Sequence, residues 1–339
     1  MSTLREHGIR IGELEPGPAN AITDVPGFRV GHVTVRRDEP EPPEGRGVAR
    51  TGVTVLVPPR LPLPAGAAVL NGAGELTGFL QVSEWGVVET PVYLTGTMAV
   101  GRVFDGAVAA AVAADPAVGV ETVVIPVVGE CDDSFLSEAR VVQVEAADAG
   151  RALAATADGP VEQGAVGAGT GMIAFGWKGG IGSASRVVPG RGTLGVLVLA
   201  NFGTRGQLRV DGVVVGRALP PDPHERGPAG SCIALVATDA PLAAPQLERL
   251  ARRAGLGLAR TGSVAHHGSG EIFLALSSGE GETADRDLDA LFAATVETTE
   301  EAVLNALWSA ATTTGREGRV VEALPHDETV AALRAARRN

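Results

Sequence analysis

The chain has 339 residues, 45% hydrophobic and 20% charged, which is the composition of a folded globular protein with a sizeable core. A net charge of −12 argues against a nucleic-acid partner, because a phosphate backbone needs clustered positive charge. Glycine is abundant at 46 residues and aromatics are 4%, so cores of Val, Leu and Ala joined by tight turns are expected.

Met1–Glu15 mixes Arg5, Glu6, Arg10, Glu13 and Glu15 and holds no apolar run of signal-peptide length. Val118–Val128 and Gly192–Ala200 are apolar but too short to span a bilayer. No membrane and a cytoplasmic setting are therefore expected, in keeping with two cysteines, Cys131 and Cys232, that make no disulfide framework. Ala21–Val35 alternates apolar residues around a Pro26-Gly27 turn, and Thr51–Val57 reads as a buried strand. Thr97–Ala114 predicts a helix ended by Asp115-Pro116, followed by a strand over Glu121–Val128, a helix over Glu145–Thr156 and a strand over Gly192–Ala200.

Arg205–Gly230 changes character. Pro220, Pro221, Pro223 and Pro228, with Asp222, His224, Glu225 and Arg226 between them, predict an exposed loop. Ser231–Ala237 then reads as an apolar strand. Asp239 or Pro241 opens a helix through Arg253 that stops at Gly255. Glu271–Leu276 is a further strand, and Asp285–Ala310 one or two amphipathic helices.

The loop-to-strand junction at Gly230-Ser231 carries the chemistry. A hydroxyl on the first residue of a rigid strand is placed to attack the preceding carbonyl, and the glycine before it permits close approach. Cutting that bond gives Ser231 a free α-amine, whose ordinary pKa of about 7.7–8.0 suits a general base for its own hydroxyl. A Gly-Ser pair before a strand also serves as an ordinary turn, so the wider pattern decides.

That pattern lies in Pro16–His32, Thr51–Val57, Asn71–Gly78 (NGAGELTG), Gly164–Arg186, Ser231–Ala240 (SCIALVATDA) and Leu256–Leu276. Over about Gly8 to Leu324 the chain resembles the serine aminopeptidase family of the L-aminopeptidase/D-amidase-esterase and the β-peptidyl aminopeptidases. The resemblance implies an α/β fold, an αββα sandwich similar to N-terminal-nucleophile (Ntn) hydrolases but with different strand connectivity. It also implies one domain over residues 1–339, cut at Gly230–Ser231 into Met1–Gly230 and Ser231–Asn339, and a homo-oligomer, a tetramer of processed protomers. By the same resemblance Ser231 is the nucleophile, Ser269 and Glu271 assist it, Asn201 stabilises the oxyanion, and Glu130 receives the substrate's amino group. The implied activity is hydrolysis of short peptides, amides or esters with a free amino terminus, with neither cofactor nor metal.

The residue types suit those roles. A Ser-x-Glu triplet puts Ser269 and Glu271 on one strand face, a carboxamide at Asn201 is a neutral oxyanion donor, and Glu130 rewards a charged N-terminus. Phe135 stands where some members have a tyrosine, so a second oxyanion donor must come from elsewhere. Cys232 should face away from Ser231, as a packing thiol. Lys178, the single lysine, either supports the loop near the nucleophile or pairs with a carboxylate. Gly167–Gly171 lacks dinucleotide spacing and reads as a tight turn feeding the site; His266-His267 has no ligand cluster to accompany it. The competing readings are an acyltransferase of the ornithine acetyltransferase type, whose threonine-nucleophile motif is missing at the junction, and a non-catalytic relative.

Overall fold

A computed structural model describes residues 4–224 and 229–338, so the expected loop residues Glu225, Arg226 and Pro228 lie outside the described part. Its sheets are built from β1 (Arg29–Asp38), β2 (Val48–Val57), β3 (Leu63–Gly72), β4 (Val87–Val88), β5 (Val92–Gly96), β6 (Val127–Cys131), β7 (Gly180–Val188), β8 (Gly192–Asn201), β9 (Ala229–Thr238) and β10 (Gly268–Ser277). One sheet has four strands in the order β1-β2-β5-β6, and the other six in the order β4-β3-β10-β9-β8-β7. The helices are α1 (Phe79–Trp85), α2 (Val100–Ala114), α3 (Ala146–Ala154), α4 (Ala244–Arg260), α5 (Leu288–Trp308) and α6 (His326–Ala336).

The layers follow from the side-chain alternation. In β8, Leu197 and Leu199 enter a core shared by the two sheets, while Val196, Val198 and Ala200 enter a second core beneath α4 and α5. Both faces of this strand are buried, which is why GTLGVLVLA is continuously apolar rather than alternating. A third core, with Val53, Val55, Tyr93 and Val128, lies between the four-stranded sheet and α2 and α3. The result is an αββα sandwich in which each fully buried Leu or Val contributes about 1.5–3 kcal/mol relative to exposure. Parallel pairs occur at β5–β6 and β9–β10, each joined by a helical crossover, and the other pairings are antiparallel.

Several expectations shift. The strand expected over Glu121–Val128 is Val127–Cys131; Val120 and Val123 are exposed and unpaired in the sheet, so apolarity there did not mean burial. The helix after β9 starts at Ala244 rather than Asp239 or Pro241, since the Asp239 carboxylate instead accepts from the Thr193 N–H at 2.6 Å. Nor does it stop at Gly255: it runs to Arg260 because Gly255 and Gly257 are interfacial. A Cβ on Gly257 would lie 2.5 Å from Thr299 Cβ of α5. Within Asp285–Ala310 a 3₁₀ turn leads into one long helix, Leu288–Trp308, buried nearly all round, so its threonines and glutamates face protein rather than solvent. Arg205–Gly230 is only partly an exposed loop, for Leu208, Val210, Val215 and Leu219 join the core under α5. The expected helix over Thr97–Ala114 forms, as a 3₁₀ turn leading into α2. It has the length and apolarity of a membrane span by composition, with mean hydropathy 1.4, and Val103, Gly106 and Ala107 are its buried face.

Candidate active site

Ser231 sits near the start of β9, opposite Asn201 of β8 and beside Gly270 of β10. Ile233 lies in the inter-sheet core and Cys232 in the core beneath the helices, so alternation turns Ser231 towards the inter-sheet side. Cys232 therefore faces away from it, as expected, and burial pushes its thiol pKa well up. Gly230 has φ 154°, and a Cβ there would lie 2.0 Å from the Asn201 carbonyl oxygen and 2.7 Å from Phe202 Cα. Backbone lies on the blocked side, so nothing can yield, and only glycine fits before Ser231.

Asn201 is 7% exposed and is held at both ends of its carboxamide. Its Oδ1 accepts from the Ile173 N–H at 2.8 Å, and its Nδ2 donates to the Asp132 carbonyl at 2.9 Å. A primary carboxamide has two N–H donors, so one remains for a ligand. Paired positions on neighbouring antiparallel strands bring this donor onto the same face as Ser231.

Glu130, on β6, is 3% exposed. One oxygen accepts from the Glu75 N–H at 2.9 Å and the other from the Thr97 hydroxyl. Burial is the main influence and raises its pKa, against which both hydrogen bonds act. The other lone pairs on these oxygens suit a cation. Ser231, Asn201 and Glu130 line one cavity of about 870 Å³, whose walls include Gly74, Glu75, Thr97, Phe135, Arg316 and Arg319.

Ser269 and Glu271 are not among the residues lining that cavity. Register puts Ser269 beside Gly230 and Glu271 beside Cys232. Glu271 alternates with Ile272 of the inter-sheet core, so the pair lies on the helix side of the sheet, next to the 230–231 peptide unit. The Ser269 hydroxyl donates to Glu271 Oε1, while the buried Oε2 has no hydrogen-bond partner among the described residues. Burial is the main cause of the raised Glu271 pKa, and the Ser269 hydrogen bond opposes it.

The structure decides between the two readings of Lys178: its Nζ donates to the carbonyls of Gly169, Met172 and Gly179 and supports the loop. That loop, Gly167–Gly171, is a buried 3₁₀ turn, as the tight-turn reading required. Phe135 packs edge-on to His224, with centroids 5.2 Å apart, and Arg319 lies over its ring. Sequence reasoning missed Thr97 and Glu75, whose role follows only from the approach of two loops to Glu130. It missed Arg205 as well, a buried guanidinium 3.3 Å above the Trp177 ring that donates to the carbonyls of Pro220 and Pro221. It therefore anchors the chain leading to Gly230. Asp133 was missed too; it is buried, and desolvation raises its pKa to about 7.

Known proteins share this arrangement of chain. The peptidase family S58 profile matches residues 20–321. A β-peptidyl aminopeptidase, BapA of Sphingosinicella microcystinivorans, is 40% identical over 96% of this chain and 90% of its own. Among solved structures, a β-aminopeptidase from Burkholderia sp. superposes with a TM-score of 0.89 at 41% identity, covering 98% of this chain and 99% of that one. The L-aminopeptidase D-Ala-esterase/amidase of Ochrobactrum anthropi, described as a prototype for the serine aminopeptidases and a variant of the Ntn hydrolase fold, gives 0.93 at 37% identity, with 100% and 99% covered. The chain belongs to peptidase family S58, as a serine aminopeptidase with this variant of the Ntn hydrolase fold.

Proposed function

We propose that the chain activates itself by cutting Gly230–Ser231, giving chains Met1–Gly230 and Ser231–Asn339 of a single domain, and that Ser231 then serves as nucleophile. The observation that carries this is the junction itself: a glycine whose Cβ position is filled by backbone, followed by a hydroxyl facing a carboxamide donor across the strand pair. In the cut chain the Ser231 α-amine takes the proton from its own hydroxyl as the oxygen attacks the substrate carbonyl. The free Asn201 N–H stabilises the resulting oxyanion. The amine returns the proton to the leaving group, and water releases the acyl chain from Ser231 by the same steps in reverse. Ser269 and Glu271, beside the 230–231 peptide, orient the new α-amine, for which the Oε2 of Glu271, with no partner among the described residues, is a suitable acceptor.

Glu130 binds the substrate's terminal ammonium. The substrates are thus short peptides, amides or esters with a free amino group, and the β-peptidyl activity in the relatives' names makes β-amino acids one class to test. Processed protomers assemble as a homo-oligomer, and two free, buried thiols suit a reducing, cytoplasmic setting. Denaturing electrophoresis of purified protein tests the cut. Wild type gives two bands split at 230/231, and Ser231→Ala gives one full-length, inactive band. A single full-length band from active wild type refutes the scheme.

A further inference from the structure

We propose that Lys178 is a positioning residue for the oxyanion site, acting on Asn201 through a single peptide unit. The proposal rests on the assignment of Asn201 to the oxyanion made above.

Lys178 is fully buried, and its Nζ lies 3.0 Å from the Gly169 carbonyl oxygen, 2.6 Å from that of Met172 and 2.8 Å from that of Gly179. An ammonium has three N–H donors, and three acceptors meet them. Among the described residues no carboxylate forms an ion pair with it; burial pushes its pKa well below the ordinary 10.5, and it is the three carbonyl dipoles, one for each N–H, that favour the ammonium form. The Met172 carbonyl and the Ile173 N–H are the two ends of one planar peptide. That N–H is the donor to Asn201 Oδ1, at 2.8 Å.

The groups therefore run in series: ammonium, Met172–Ile173 peptide, Asn201 carboxamide, oxyanion. Each hydrogen bond polarises the next in the same sense, drawing electron density towards Lys178 and making the Asn201 N–H a better donor. The gain is realised when negative charge forms on the substrate oxygen, in the transition state. The same contacts fix the direction of the carboxamide, since exchanging its O and N would set an N–H against the Ile173 N–H. A guanidinium is a planar fork and cannot present three donors to three converging carbonyls, whereas a compact ammonium can. This accounts for a lone lysine where Arg supplies every other fixed positive side-chain charge.

The test is a double-mutant cycle in processed protein, with kcat expressed per cleaved protomer and melting temperature measured alongside. Lys178→Met, close in shape but apolar, is expected to lower kcat about 10–100-fold while KM stays within about twofold, as loss of transition-state stabilisation requires. In an Asn201→Ala background the same substitution is expected to change kcat less than about threefold, because its target is gone. Ile173→Pro removes the relay N–H and leaves all three lysine acceptors; Met172 already has φ −79° and ψ 150°, compatible with a following proline. It is expected to match the Lys178→Met loss, and it carries the test if Lys178→Met does not fold. Losses that multiply independently in the double variant, or wild-type kcat in Ile173→Pro, overturn the relay. Wild-type kcat in Asn201→Ala overturns instead the oxyanion assignment beneath it.

Discussion

Replacing Glu130 with glutamine tests the amino-terminal anchor at nearly constant shape. The carboxylate is 3% exposed and is met by the Thr97 hydroxyl and the Glu75 N–H, neither of which neutralises it. Opposite unit charges 4 Å apart attract by about 4 kcal/mol at an effective dielectric of 20. Stripping water from the incoming ammonium offsets part of this, leaving a net loss of about 3 kcal/mol when the charge is removed. At 1.4 kcal/mol per tenfold, kcat/KM for a free-amine substrate falls roughly 100-fold. The assay compares an aminoacyl p-nitroanilide with its N-acetyl analogue in both proteins. The wild type should strongly prefer the free amine, and Glu130→Gln should lose most of that preference. The pH profile adds a sign. Burial raises the Glu130 pKa, so the carboxylate that attracts the ammonium is lost on acidification at a pH above the ordinary 4.5. The acid limb of kcat/KM due to this group should therefore vanish in the variant. A variant within threefold of wild type on the free amine, or a wild type indifferent to acetylation, refutes the assignment.

Two further outcomes concern the scaffold. Asp133 has a folded-state pKa of about 7 against an ordinary 3.8, so between these values the folded chain holds a proton the unfolded chain has released, and stability falls as pH rises through that window. Asp133→Asn should flatten this slope, which approaches roughly 1.4 kcal/mol per pH unit; urea midpoints at pH 5 and pH 8 measure it, and an unchanged slope counts against the argument. Gly257→Ala sets a Cβ 2.5 Å from Thr299 Cβ and 2.6 Å from the Val296 carbonyl oxygen, and should cost about 1–3 kcal/mol. At Gly255 the nearest atoms are side-chain carbons 3.3 Å away, so Gly255→Ala should be far milder, helped by helix propensity. Equal melting temperatures for the two variants would contradict this account.

The legible parts of the sequence were those governed by local pattern. Thr51–Val57, Gly192–Ala200 and Ser231–Ala237 advertised buried strands, and Thr97–Ala114 a helix, because apolar spacing and turn residues agreed. Gly255 misled because a glycine can end a helix or let two helices approach, and only the neighbour at Thr299 distinguishes these uses. Val120 and Val123 misled because an apolar run says nothing about what covers it. At the site, motifs singled out Ser231 and Asn201, which the fold sets opposite each other on adjacent strands, but the face on which Ser269 and Glu271 sit depends on strand register. Lys178 stood out by rarity alone. Only the fold brings the carbonyls of Gly169, Met172 and Gly179 together on its one nitrogen.

The strand order carries a consequence for what the proposed cut does to the molecule. β9 and β10, which belong to the chain beginning at Ser231 but for the first residues of β9, lie in the middle of the six-stranded sheet, flanked by β3 on one side and β8 on the other. Breaking the peptide bond thus frees neither fragment, since each holds strands on which the other is hydrogen-bonded along its length. Folding before the cut is a unimolecular event. After it, any complete unfolding separates two chains, and recovery becomes a second-order encounter that slows with dilution. The mature enzyme would keep its structure by never fully losing it, and its lifetime would be set by the rate of opening rather than by the equilibrium that formed it.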